Sequence, residues 1–425
     1  MVSNRTVESR SRRFILSFNI SATVAVSLAS GNFLVGLYAI LNVSDALLGI
    51  LTTVAQLCNI AQILSPLLLD RFPGKKKIVL ILRCVYHLFF IVIIGSIPYF
   101  PVEDGFKVSL LVASMVVANL AAALAGPGIS MLHIRSLPDR LRASFFMIMS
   151  MMYNVCTYVF ILVCGWIVDY MRDTRSLLTG ITVVRAIALV FSVLEIISTI
   201  NIYEHKEPDA DKKADKKFAL TLPFKDTKYM MCCALVGAWS FFANIPGLFY
   251  SSYLINDVGV PYSFLGTVSI LSLPILMVFG PVWSKVINRH SWFKSISMAM
   301  VIYATCYLVC AFVDKGNYMF LYPCGVVLSF IGAPCINIVI PNMPYMHLPE
   351  SGRSGYLGFY AGFNSFMAML GLLTGTLIIN LTSGAQFSFF RQTLINKQFL
   401  YLIVWVLLLV LSAAFMLLKK HEKRV

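Results

Sequence analysis

Residues 203–228 read YEHKEPDADKKADKKFALTLPFKDTK. The stretch is charged and nearly free of large apolar residues before Phe218, unlike the rest of the 425-residue chain. It is too polar to bury a core and reads as a solvated linker over 204–226. Working outward from it, six long apolar segments precede it and six follow. Each reaches at least about 20 residues, the helical length that crosses the ~30 Å hydrocarbon core of a bilayer. In lipid every backbone N–H and C=O must be paired within its own segment, so the segments are helices. The predicted spans are 14–42, 44–70, 76–98, 106–134, 140–170 and 176–203 before the linker. After it come 227–256, 261–288, 293–314, 317–346, 351–383 and 396–419.

Composition agrees. Hydrophobic residues are 59% of the chain and charged residues 12%, about half the charged share of a soluble protein. A net charge of +15 in a soluble chain would point to nucleic acid. Here the basic residues sort by side of the bilayer instead. They collect at the N-terminus, in the 71–77 loop, around 135–142, in the linker, at Lys285, Arg289, Lys294 and Arg353, and in the tail. Of the 34 basic residues only six (Lys107, Arg172, Arg175, Lys315, Arg391 and Lys397) fall on the other side, and Arg185 alone lies mid-helix. The positive-inside rule then puts both termini in the cytosol, which requires an even number of crossings. The expectation is an all-α, multi-pass protein of the cytoplasmic membrane with the lipid bilayer as its surroundings and no nucleic-acid partner. The basic start and the apolar run from Phe14 mimic a cleavable signal peptide. The run continues to Leu41, which marks an uncleaved first helix. Ten cysteines fall almost entirely within helices without metal-type spacing, so buried thiols are expected and no metal or cofactor.

The two sets of six helices repeat each other. Leu137-Pro138-Asp139-Arg140-Leu141-Arg142 after helix 4 matches Leu348-Pro349-Glu350-Ser351-Gly352-Arg353 after helix 10. Val43…Leu48-Gly49 at the start of helix 2 matches Val260…Leu265-Gly266 at the start of helix 8, and Pro66 matches Pro281. The matches come in the same order at nearly the same offset, which indicates a duplicated six-helix unit: 1–203 and 227–425. Parallel repeats with a site near the midplane are a transporter architecture.

With these features the chain resembles the major facilitator superfamily, in its bacterial permease form, over essentially its whole length. The family's loop between helices 2 and 3 reads roughly G-x-x-x-D-[RK]-x-G-[RK]-[RK]. The matching stretch here is Pro66-Leu67-Leu68-Leu69-Asp70-Arg71-Phe72-Pro73-Gly74-Lys75-Lys76-Lys77. Pro66 replaces the leading glycine, and one extra residue precedes Gly74. The sugar-porter run after helix 6 and the drug-antiporter signature of helix 5 are absent. The resemblance implies a secondary transporter whose helices 1, 4, 7 and 10 line a central cavity, flanked by 2, 5, 8 and 11.

Polar side chains in membrane helices face the protein interior or a water-filled path. Asn19 and Thr23 in helix 1, Gln56 and Asn59 in helix 2, Asn154 in helix 5, and Asn244 in helix 7 are the candidate substrate-binding groups, with Trp239 as a stacking surface. Ser, Thr and small-residue stripes also serve tight helix packing. No acid falls within 14–42, 106–134, 227–256 or 317–346, which argues against a strongly cationic solute. A gate on the cytosolic side is expected from Asp70, Arg71, Asp139, Arg142, Glu350 and Arg353, with Asp70 capping the N-terminus of helix 11. Glu195 is the one acid deep in a helix, at a depth that matches Arg83, so the two can pair. They are the candidates for ion coupling, or else snorkel separately. Arg185 either attracts an anionic solute or sits at the bundle edge and snorkels. His87 is expected to be a hydrogen-bonded structural group. No G-x-x-x-x-G-K-[ST] loop exists, so nothing points to ATP. The reading is a monomeric secondary transporter of a small organic molecule, coupled to a proton or sodium ion. A sensor that has kept a transporter fold, and a membrane-embedded enzyme, are the alternatives.

Overall fold

The computed structural model describes residues 4–65, 75–135, 139–203, 224, 226–347, 353–389 and 392–418. Among these are eleven helices long and apolar enough to cross a membrane, and a shorter apolar helix, Asp45–Ile60, stands where the second span is expected. Among the described residues the helices form in the predicted order and nearly at the predicted bounds, except that helix 1 begins at Asn4 rather than at 14, and helix 2 runs Asp45–Ile60 with a 3-10 turn over Ala61–Leu64, its predicted end at 70 lying outside the described residues. The linker 204–226 lies outside the described residues apart from 224 and 226. The chain packs as two compact units: Met1–Val43, Leu57–Lys212 and Pro261–Ile270 in unit 1, and Ser44–Gln56, Lys213–Val260 and Leu271–Val425 in unit 2. The first residues of helix 2 therefore belong to unit 2, and the first residues of helix 8 to unit 1.

In unit 1, helix 1 packs along helix 6 and helix 5, and helix 3 packs along helix 4. Helix 1 is broken. It runs Asn4–Ala29 and resumes as Gly31–Ile40. Ser30 is extended, and Gly31 sits at φ +55, a left-handed conformation that glycine adopts without a Cβ penalty. Helix 3 (Lys75–His87) widens into a π-helical turn over Leu88–Ile93. Both distortions free backbone carbonyls, and a buried carbonyl needs a donor. Arg185 of helix 6 (Leu177–Asn201) supplies it. Its guanidinium donates to Phe90 O at 2.9 Å, Ile91 O at 3.3 Å and Ala29 O at 3.4 Å. Arg185 is only 5% exposed. The edge-and-snorkel expectation is therefore corrected: this arginine is a buried brace between two backbone irregularities.

In unit 2, helix 9 (Trp292–Ala311) packs on helix 10 (Tyr318–Asn342) and helix 12 (Asn396–Leu418), and helix 7 packs on helix 11 (Arg353–Leu381). Helix 7 runs Thr227–Asn244, turns through Pro246 and Gly247, and continues as Phe249–Ser252 and a π turn over Tyr253–Val258. Gly371 and Gly375 of helix 11 make the contact with helix 7 possible. A Cβ on them would lie 2.1 Å from Phe241 O and 1.9 Å from Ile245 O. The last carbonyls of a helix lack partners within it, and at helix 9 they are met by neighbours. Tyr250 donates to Cys310 O, Tyr253 to Val313 O, and Gln398 to Ala311 O and Val313 O, all within 3.0 Å. Between helices 11 and 12 a short antiparallel hairpin forms, Gln386–Phe389 against Gln392–Ile395. It occupies the stretch between the predicted spans 351–383 and 396–419.

Candidate functional site

The seven candidate substrate residues share one property: each is half-buried, neither sealed in the core nor fully exposed. Asn19, Thr23, Asn59 and Asn154 lie in unit 1, and Gln56, Trp239 and Asn244 in unit 2. In unit 1, Asn19 and Asn154 stand on helices 1 and 5, which pack together. Asn19 Nδ2 donates to Ile15 O at 2.8 Å, and Asn154 Nδ2 to Ser150 O at 2.9 Å. In unit 2, Asn244 Nδ2 donates to Ser240 O at 2.7 Å. A backbone carbonyl can only accept, so it fixes which end of each amide faces it. The Nδ2 end is tied to the helix four residues back, and Oδ1 is turned away from that carbonyl. Thr23 Oγ1 likewise donates its one proton to Asn19 O at 2.7 Å, leaving lone pairs. These positions thus offer hydrogen-bond acceptors and, on each amide, the second Nδ2 proton as a donor.

Asn364 and Tyr303, which are not among the candidates from sequence, join the unit 2 group. Ser240 Oγ donates to Asn364 Oδ1 of helix 11. Trp239 meets Tyr303 of helix 9 edge to face, with centroids 5.4 Å apart. The signal for Asn364 was available, since an amide in an apolar helix needs a polar neighbour in lipid as much as Asn244 does.

Arg83 and Glu195 come together in unit 1. Arg83 Nε and Nη2 reach Glu195 Oε1 and Oε2 at 2.5 and 2.6 Å. His87 Nε2 lies 2.9 Å from the same Oε2, and Arg83 also stacks over the Tyr86 ring at 4.8 Å. Glu195 is 0% exposed. The fork geometry pairs both carboxylate oxygens with one guanidinium, so the acid is fully engaged within its own unit. Asp70, Arg71 and Glu350 lie outside the described residues. Asp139, Arg142 and Arg353 are placed on helices, but their side chains are not among those described. Among the described residues no group of three or more His, Cys, Asp or Glu is arranged to hold a metal.

Solved transporters share this architecture. Nucleoside transporter NupG superposes with a TM-score of 0.67 at 13% identity, over 97% of this chain and 98% of its own. A peptide transporter of the POT family, solved with sulfate, gives 0.69 at 11% identity over 100% of both chains. Identities this low speak to fold alone. Among curated proteins none matches the sequence. The sequence profile of the Major Facilitator Superfamily matches residues 15–372. That match covers most of both six-helix halves, and with the repeat and the fold it settles the family: the chain belongs to the Major Facilitator Superfamily.

Proposed function

We propose that this secondary transporter of small solutes carries a neutral or zwitterionic polar organic molecule that both donates and accepts hydrogen bonds. The observation that carries the reading is the set of half-buried amides at Asn19, Asn154 and Asn244, each tied by Nδ2 to its own helix. The absence of acids from the cavity-lining stretches of helices 1, 4, 7 and 10 supports a solute without strong positive charge. In this reading the protein sits in the cytoplasmic membrane as a monomer, with both termini and the linker in the cytosol. The halves 1–203 and 227–425 rock in alternation, and a proton or sodium gradient drives accumulation. Asp70, Arg71, Asp139, Arg142, Glu350 and Arg353 form the cytosolic gate, and Asp70→Asn slows transport while expression stays normal. No chemical step is catalysed.

The test is uptake into proteoliposomes under imposed gradients, with Ala at Asn19, Gln56, Asn59, Asn154 and Asn244. A lost hydrogen bond of about 0.5–1.5 kcal/mol weakens affinity by up to roughly tenfold. Unchanged affinity in all five variants places the site elsewhere. Solute-dependent flux separates a transporter from a sensor that binds without moving its ligand, and an unmodified solute separates it from an enzyme.

A further inference from the structure

The buried thiols of unit 2 are put to no use by the transport reading, and two of them form a pair. Cys306 and Cys310 stand one turn apart on helix 9, and their Sγ atoms lie 3.9 Å from each other. Cys306 is 9% exposed and Cys310 2%. Residues four apart on a helix share a face, so both sulfurs point the same way. Helix 10 leaves room beside them: a Cβ on Gly325 would lie 2.5 Å from Cys310 Sγ. The backbone that carries the sulfurs is anchored. Tyr250 of helix 7 donates to Cys310 O, and Gln398 of helix 12 donates to Ala311 O. All of these residues belong to unit 2.

The donor set decides which ligand fits. Among the described residues no third His, Cys, Asp or Glu joins the pair. A structural zinc takes four ligands, and calcium and magnesium take oxygen, so the pair suits none of these. Soft thiolate ligands select copper(I), a monovalent ion that two of them satisfy. A metal–thiolate bond is about 2.3 Å, so one ion reaches both sulfurs across 3.9 Å. Each thiol gives up its proton on binding: two R–SH and one Cu⁺ yield [RS–Cu–SR]⁻ and two H⁺. The complex carries one negative charge, and a buried charge needs dipoles around it. Tyr322 and Tyr401 lie within electrostatic range of both thiols. Their rings flank Tyr250, Tyr401 stacked on it at 4.0 Å and Tyr322 tilted at 6.4 Å.

We propose that Cys306 and Cys310 form a two-coordinate site for copper(I) in the last two turns of helix 9. The site does not rest on the transport reading and shares no residue with the half-buried amides. The bound ion bridges two turns of helix 9 where helix 10 packs on it. An ion held only by the folded protein raises its stability by mass action, so copper(I) stiffens unit 2. In sequence the pair is inconspicuous. Its four-residue spacing is not that of a zinc motif, a buried cysteine is most often a small apolar filler, and only the fold sets Gly325 against Cys310.

Anaerobic titration of the reduced, full-length protein with copper(I), in competition with a chromogenic copper(I) chelator, tests the site. Wild type is expected to hold one equivalent that Cys306→Ser and Cys310→Ser each lose. Cys84→Ser, which removes an exposed thiol of unit 1, is expected to keep it. X-ray absorption at the copper edge should show two sulfur neighbours and no nitrogen or oxygen. Copper(I) should raise the melting temperature of wild type and not that of the two serine variants. Gly325→Ala keeps both thiols but crowds Cys310 Sγ, and should weaken binding about tenfold or more, the cost of disturbing what orients a metal ligand. Copper(I) held equally by wild type and both serine variants overturns the proposal. So does a copper shell with fewer than two sulfurs. If the serine variants fail to fold, unchanged affinity in Gly325→Ala overturns it instead.

Discussion

Two buried arginines show what a residue in a membrane helix needs. Arg83 is neutralised by Glu195, with His87 on the same carboxylate. Arg185 has no acid among its hydrogen-bond partners and lies against carbonyls freed by irregular backbone. The first arrangement was legible in the sequence, because Glu195 is the one acid deep in a helix and Arg83 lies at its depth. The second was not, because its partners are peptide groups that become available only when helix 1 breaks and helix 3 widens. The pair gives a sharp expectation. Removing one member of a buried ion pair costs about 3–5 kcal/mol, whereas replacing both by apolar groups is often close to neutral. Glu195→Gln alone should therefore lower the melting temperature in detergent markedly, and Arg83→Met with Glu195→Leu should recover most of the loss. The same variants separate a brace from an ion carrier. If the double variant still accumulates solute under a proton gradient, Glu195 is not the coupling group; loss of accumulation with exchange preserved makes it the carrier. For Arg185, Arg185→Ala should destabilise unit 1, because three buried carbonyls lose the donor that Arg185 supplies, and a buried carbonyl left without any partner costs about 1–3 kcal/mol. The check is whether the loss appears in Arg185→Ala and is smaller in Arg185→Lys, which keeps a donor.

Elements were read from hydropathy, which finds where a helix lies but not how regular it is. Most predicted and observed bounds differ by a few residues, the start of helix 1 by ten, and hydropathy shows nothing of the break at Ser30, the π turns at Leu88–Ile93 and Tyr253–Val258, or the hairpin at Gln386–Ile395. An apolar run looks the same to a hydropathy count whether its carbonyls bond four or five residues on. The hairpin hides for a different reason: its strands are four residues each, too short to show alternation, and part of its anchoring is tertiary, with Phe387 stacked on Phe399 at 4.0 Å. Helix pairing leaves a clearer trace. Small residues let membrane helices approach closely, and Gly371 and Gly375, four residues apart in helix 11, form such a stripe in the sequence. With carbonyl oxygens 2.1 and 1.9 Å from where a Cβ would go, Gly371→Ala and Gly375→Ala force helix 7 to move. Overpacking of this kind costs about 1–3 kcal/mol. Each variant should melt at a lower temperature than wild type, while Ala at Gly280, where nothing lies within 4 Å, should be neutral. Equal melting of all three would mean that the notch is not close-packed.

At the scale of the whole molecule, twelve helices in two repeats were legible because apolar length, charge sidedness and the repeated Leu-Pro-acid and Leu-Gly patterns are local properties of the string. The crossing-over of two helix beginnings was not. Gly49 and Gly266 were recognisable as repeat partners, but nothing in sequence says that residues 44–56 pack with the second half and 261–270 with the first. That exchange has a consequence for how the halves fold. A chain ending at residue 203 keeps Gly165, which packs on the Tyr262 backbone, and Asp169, whose carboxylate accepts from Tyr262 N and Ser263 N, but loses the stretch 261–270, leaving a carboxylate and the close-packed face of helix 5 uncovered. A chain starting at 227 keeps Thr376, on which Gly49 packs, and Lys397, whose Nζ lies 3.1 Å from Asp257 Oδ2 and 3.1 Å from Asp45 Oδ2, but lacks residues 44–56. The linker 204–226 contributes charge and reach rather than packing, so cutting it should matter less than separating the halves. Co-expression of 1–203 and 227–425 as two chains should therefore yield a complex that elutes together after solubilisation and supports uptake. Either half alone should aggregate or elute as a broad species. Two halves that are each monodisperse on their own, with melting temperatures equal to that of the intact chain, would show that the exchanged segments are not needed for either unit to hold its structure.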